Sequence, residues 1–114
     1  MSGDTVFGKI VRGEIPAKFL HEDEHCVAFR DIDPKAPTHI LVVPKKPLVD
    51  LASASPEDEL LLGRLMLVAA KVARAEGHGD AFRLVVNNGA KAGQSVFHLH
   101  VHVMAGRPFA WPPG

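Results

Sequence analysis

The sequence predicts an α+β fold: a five-stranded, mainly antiparallel sheet carrying one long and one short helix, in a single domain over residues 1–114. Three observations predict it. A chain of 114 residues that is 46% hydrophobic is long enough to build one real core and too short for two. Short apolar runs punctuated by proline, glycine and acidic clusters read as strands and turns. One segment, Ser55 to Gly77, combines helix start and stop signals with apolar residues at helical spacing.

In chain order, Thr5 to Gly13 reads as the short helix, with Val6, Phe7, Ile10 and Val11 on one side and Gly13 near its end. Ile15-Pro16 forces an extended exit. Lys18 to His21 and Cys26 to Ile32 read as two strands joined by the charged turn Glu22-Asp23-Glu24-His25. Asp33-Pro34 and Ala36-Pro37 stop the second of them. Thr38 to Val43 is a third strand, nearly all apolar and closed by Pro44, so it belongs at the centre with both faces buried. The long helix opens with Ser55 as N-cap, Pro56 in the first turn and Glu57 and Asp58 on the positive end of the dipole; Gly77 ends it. Its apolar residues, from Leu60 to Val72, spread well beyond the stripe of about 100° that one sheet covers. That excess asks for a second surface, such as another subunit. Phe82 to Val86 and Val96 to Met104 complete the sheet, linked by a loop rich in glycine and asparagine.

Composition narrows the partners. Lys plus Arg and Asp plus Glu stand at 13 each, so no global field draws the chain to nucleic acid or anionic lipid. The lone Cys26 excludes an internal disulfide and any multi-cysteine zinc module, and reads as a small buried hydrophobe. Met1-Ser2-Gly3-Asp4 does not read as a signal peptide. The most apolar stretch, Leu60 to Ala73, is broken by Arg64 and Lys71 and falls short of the ~20 residues of a bilayer span. The expectation is a cytoplasmic protein with neither membrane nor nucleic acid as partner.

The chemistry concentrates in the last strand. Phe97, Leu99, Val101 and Val103 alternate with His98, His100 and His102, placing three imidazoles on one face and apolar side chains on the other. At ~3.4 Å per residue, His98 and His102 lie ~13 Å apart, too far for all three to hold one zinc ion. Two of them with His39 remain an alternative metal site. A strand-borne imidazole whose one nitrogen is held protonated by a backbone carbonyl is also a good nucleophile toward phosphorus, with flanking histidines donating to phosphate oxygens or the leaving group. Asn87-Asn88-Gly89 and Gly93-Gln94-Ser95 supply amides and a hydroxyl suited to cupping an oxyanion. Asp31 is placed to accept both hydroxyls of a ribose, while Asp33 before Pro34 reads as a turn former. Trp111, in the stiff tail Trp111-Pro112-Pro113-Gly114, reads as an anchor.

With these residues in hand, the chain resembles the histidine triad superfamily over nearly its whole length, and within it the Hint branch of purine nucleoside phosphoramidases. The motif His-φ-His-φ-His-φ-φ, with φ apolar, stands as His98-Leu99-His100-Val101-His102-Val103-Met104. Ala36-Pro37-Thr38-His39, Val43-Pro44-Lys45-Lys46, Gly93-Gln94-Ser95-Val96 and the Trp-Pro-Pro-Gly ending extend the likeness. The resemblance implies a hydrolase in which His100 attacks the α-phosphorus of a phosphoramidate or aminoacyl-adenylate, forming a nucleotidyl-histidine that water hydrolyses to a nucleoside monophosphate such as AMP. It assigns His98 and His39 to supporting and orienting the catalytic histidines. His102 and Ser95 contact the phosphate or leaving group, with Asn87, Gly93, Gln94 and Val96 around the phosphate. Asp31 takes the ribose, and Phe7, Ile10, Ile15, Phe29 and Ile32 wall the purine. It further implies a homodimer whose Trp111 lies near the partner's site, and neither metal nor cofactor. Dinucleoside polyphosphate hydrolysis, nucleotidyl transfer and a nucleotide-binding scaffold are the alternatives. Two departures stand out: Phe97, whose ring is expected to face the core, sits where relatives carry Tyr, and Ala90-Lys91-Ala92 differs from the usual loop.

Overall fold

The structure is a computed structural model that describes residues 4–114; the reading of Met1–Gly3 as free of a signal lies outside the described residues. Five strands form one sheet: β1 (Phe19–Glu22), β2 (Cys26–Arg30), β3 (Thr38–Pro44), β4 (Phe82–Val85) and β5 (Val101–Ala105). Their order is β1-β2-β3-β5-β4 with every pairing antiparallel. Two helices complete it, α1 (Val6–Val11) and α2 (Glu59–Ala75).

β3 is buried along all seven residues, as its unbroken apolar run predicts. Ile40 and Val42 join the layer under α2 with Leu65, Val68, Ala69, Val72, Val101 and Val103. Leu41 and Val43 turn to the other face and pack with Val27, Phe29 and the α1 residues Phe7 and Ile10. The strand period of two thus divides one segment between two cores.

α1 starts at Thr5, whose hydroxyl accepts from the Gly8 amide at 3.0 Å, the bond expected of an N-cap. α2 is preceded by a 3-10 turn at Pro56–Asp58. There the Asp58 carboxylate accepts from the Ser55 amide at 2.9 Å and from Lys46 Nζ at 2.5 Å, the return half of a capping box. The stop at Gly77 holds, with a φ of 87° that suits glycine. Leu60 and Leu67 remain 87% and 74% exposed, so the sheet covers only part of the apolar surface of α2. No helix among the described residues is long and apolar enough to cross a membrane.

The last strand corrects the sequence reading. A strand was expected from Val96, but β5 begins at Val101. The reason is Pro44, two positions beyond Val42 on β3 and opposite Leu99, which has no amide to extend the ladder. The Leu99 amide turns instead to the Leu48 carbonyl at 2.7 Å. Phe97, expected to face the core, is 43% exposed because it precedes the strand and escapes its alternation. β2 also ends early, at Arg30, since Asp31 opens the turn that Asp33 was expected to form: the Asp33 amide donates to Asp31 Oδ1 at 2.8 Å.

Candidate active site

On the face opposite α2, a cavity of about 740 Å³ opens between α1, the end of β2, the start of β3 and the histidine segment. Phe7, Ile10, Ile15, Phe29 and Ile32 belong to its apolar lining, together with Val6, Leu20 and Leu41 among others, and Asp31, His39, Ser95, Val96, His100 and His102 line it as well. Phe7, Ile10 and Phe29 are also buried in the domain, whereas Ile32 is fully exposed at the rim.

Backbone partners fix the proton on each imidazole, because a carbonyl only accepts and an amide only donates. His100 Nδ1 lies 2.8 Å from the His98 carbonyl, so Nδ1 carries the hydrogen and Nε2 keeps a lone pair. The edge of Phe7 packs against this ring at a centroid distance of 4.9 Å. His98 donates from Nε2 to the Pro44 carbonyl at 2.7 Å, which ties the histidine segment to the end of β3. His98 Nδ1 is buried without a hydrogen-bond partner among the described residues.

The second pair is a relay. The Lys35 amide donates to His39 Nδ1 at 2.9 Å, so the His39 hydrogen sits on Nε2. From there it reaches His102 Nδ1 at 2.9 Å. His102 Nε2 therefore carries the remaining hydrogen. Asp31 Oδ2 stands 3.6 Å from His39 Nε2. Burial lowers the pKa of His39, His98 and His100, and burial followed by the neighbouring His100 and His39 pushes His102 down to about 4. All four rings are neutral at pH 7, which leaves the His100 lone pair available.

Asp31, His39 and His102 also bring three donor atoms within 4.8 Å of one another. The Lys35 amide already occupies His39 Nδ1, so the hydrogen on Nε2 has no second ring nitrogen to move to, and a metal ion there would have to break both that bond and the relay to His102.

The glycine-rich loop sits differently from the cavity-facing histidines. Gln94 is buried, its Oε1 accepting from the Gly89 amide at 2.8 Å and its Nε2 donating to the carbonyls of Val49 at 2.8 Å and Val96 at 3.1 Å. Its side chain braces the loop. Asn87 lies beside Gly93, where an added Cβ would meet its amide at 3.6 Å, and Gly93 has a φ of 101°. Neither lines the cavity, and nor do His98 and Gln94. Trp111 is 83% exposed and outside the lining; the tail is held by Arg83, which donates to the Ala110 carbonyl at 2.9 Å and stacks on Phe109. Sequence reasoning missed Lys35, whose contribution is a main-chain amide and leaves no side-chain signal beyond the preceding Pro34.

Residues 12–109 match the HIT domain. The chain belongs to the HIT family. An uncharacterized HIT-like protein of Synechocystis sp. is 59% identical over 114 residues, covering the whole of both chains. A HIT family hydrolase from Legionella pneumophila shares the fold with a TM-score of 0.94 and 44% identity, over 97% of this chain and 100% of its own. A histidine triad protein from Clostridium difficile gives 0.89 and 39%, over 94% of each chain. At these identities and TM-scores, both HIT structures share the overall fold of this chain.

Proposed function

We propose that this HIT protein is a hydrolase of the Hint type, acting on purine nucleoside phosphoramidates and aminoacyl-adenylates and releasing a nucleoside monophosphate. The observation that carries the reading is His100: its Nδ1 hydrogen is anchored on the His98 carbonyl and its ring lines the cavity. Its Nε2 lone pair attacks the α-phosphorus, and the bond to the leaving group breaks: phosphorus–nitrogen in a phosphoramidate, phosphorus–oxygen in an aminoacyl-adenylate. The leaving group takes that bond's electron pair, an amine then gaining a proton from solvent and an aminoacyl group departing as its carboxylate. Water then cleaves the Nε2–phosphorus bond. The His98 carbonyl stabilises the positive ring of the intermediate, while His102 Nε2–H, oriented through His39, donates to a phosphate oxygen. Ser95 contacts the phosphate or leaving group, Asp31 binds the ribose hydroxyls, and the apolar lining takes the purine. No metal takes part.

The exposed Leu60 and Leu67 on α2 support a homodimer in a cytoplasmic protein, with Trp111 reaching toward the partner's site. Rapid quenching with phosphorus-labelled adenosine phosphoramidate tests the mechanism: the label should appear on His100. Burst kinetics with no labelled protein would reject the covalent step. Turnover of adenosine and guanosine phosphoramidates beside a diadenosine polyphosphate, at matched concentration, separates this substrate class from polyphosphate hydrolysis.

A further inference from the structure

We propose a second site, on the β1–β2 hairpin and away from the cavity, in which His21, Asp23 and Cys26 bind a divalent cation of the zinc class. The hairpin turn needs only one oxygen of Asp23. That oxygen, Oδ1, accepts from the amides of His25 at 2.7 Å and Cys26 at 2.9 Å, which locks the carboxylate. The other oxygen, Oδ2, faces His21 Nε2 at 2.8 Å and Cys26 Sγ at 3.8 Å. One nitrogen, one sulfur and one oxygen thus converge within 4.8 Å, a mixture that favours zinc over calcium or magnesium.

The spacing is close to what an ion requires. With bonds of 2.0 to 2.3 Å at tetrahedral angles, ligand atoms sit roughly 3.4 Å (nitrogen to oxygen) and roughly 3.6 Å (sulfur to oxygen) apart. The His21–Asp23 pair must open by well under an ångström, and the Cys26–Asp23 pair is already near its distance. The amides on Oδ1 supply the outer contacts that orient a ligating carboxylate. Cys26 belongs to the core layer under α2, while the side chains of His21 and Asp23 are 13% and 23% exposed. The fourth position therefore opens toward solvent. Arg64 Nη1 stands 3.9 Å from Oδ2 on a half-exposed side chain and can move outward when an ion neutralises the carboxylate.

Binding releases one proton. The Cys26 thiol proton goes to solvent, and the His21 proton moves from Nε2 to Nδ1. Burial and the adjacent Asp23 push the thiol up to about 12, so affinity should rise with pH. The ion would staple the hairpin to the core without entering the cavity.

Cobalt(II) titration of the metal-free protein tests this. One ion should bind, with a near-ultraviolet sulfur-to-cobalt absorption that zinc abolishes and that strengthens from pH 6 to pH 8. Cys26→Ser should eliminate the absorption. His21→Phe should weaken binding at least tenfold with the fold intact by circular dichroism, and it decides the matter if Cys26→Ser does not fold. His102→Ala should bind as the wild type does. A titration without sulfur absorption, equal affinity in His21→Phe, or loss of binding in His102→Ala would overturn the proposal.

Discussion

On the α2 side of the sheet, β3 presents Ile40 and Val42 to a sealed apolar layer; on the other side the same strand presents His39 beside an open cavity. The first face is held by burial of apolar area, which is non-directional and tolerates small shifts. The second buries imidazoles, and each buried polar atom needs a partner of the correct polarity. The main-chain partners are the carbonyls of Pro44 and His98 and the amide of Lys35, while His39 serves His102 and His98 Nδ1 has none among the described residues. The contrast teaches that different forces hold the α2 layer and the histidines on opposite faces of the strands, although the cavity face also has an apolar core of its own.

Substituting His100 by Ala tests the cavity face most severely. Turnover should fall by about a thousandfold or more, while nucleotide affinity stays within a few-fold, since the nucleophile acts mainly in the covalent step. Near-normal turnover in this variant would remove His100 as the nucleophile. Leu65→Ala tests the helix face. It should lose about 2–5 kcal/mol in urea denaturation while keeping kcat/KM within a few-fold where still folded. Collapse of catalysis in the folded variant would show that the faces are coupled.

Asp31→Ala should raise KM for ribonucleotide substrates by about tenfold or more, from loss of a charge-assisted hydrogen bond of about 1.5–3 kcal/mol, with little effect on 2′-deoxy analogues. Equal losses for both sugars would move Asp31 out of the ribose site. Acidification gives a smaller, graded effect. Burial holds the folded-state pKa values of the cavity histidines below the unfolded value of about 6.5, with His102 at about 4. The unfolded chain therefore binds more protons across that interval, so stability present above pH 6.5 is progressively lost toward pH 4. A melting temperature that is flat over that range, measured in wild type and in His102→Phe, would contradict neutral buried rings. The smallest change is expected from deleting residues 109–114: simple phosphoramidates should still be cleaved, with discrimination among bulky amines reduced. An unchanged profile in a dimeric truncation would make Trp111 packing alone.

The sequence by itself determined the elements and their faces. The burial of β3 on both sides, the capped start and glycine stop of α2 with its excess of apolar surface, the buried Cys26 and the alternation of His100 and His102 with Leu99, Val101 and Val103 were all legible, because periodicity and capping are properties of neighbouring residues. Tertiary structure alone decided that β5 starts at Val101, that Phe97 stays outside the core, that Asp31 rather than Asp33 forms the turn, and which nitrogen of each imidazole carries its hydrogen. Two of those decisions depend on groups distant in the chain: Pro44 meets His98 across 54 positions and His39 meets His102 across 63. Local pattern says which way a side chain points, but a hydrogen bond is settled by whatever the fold brings opposite it.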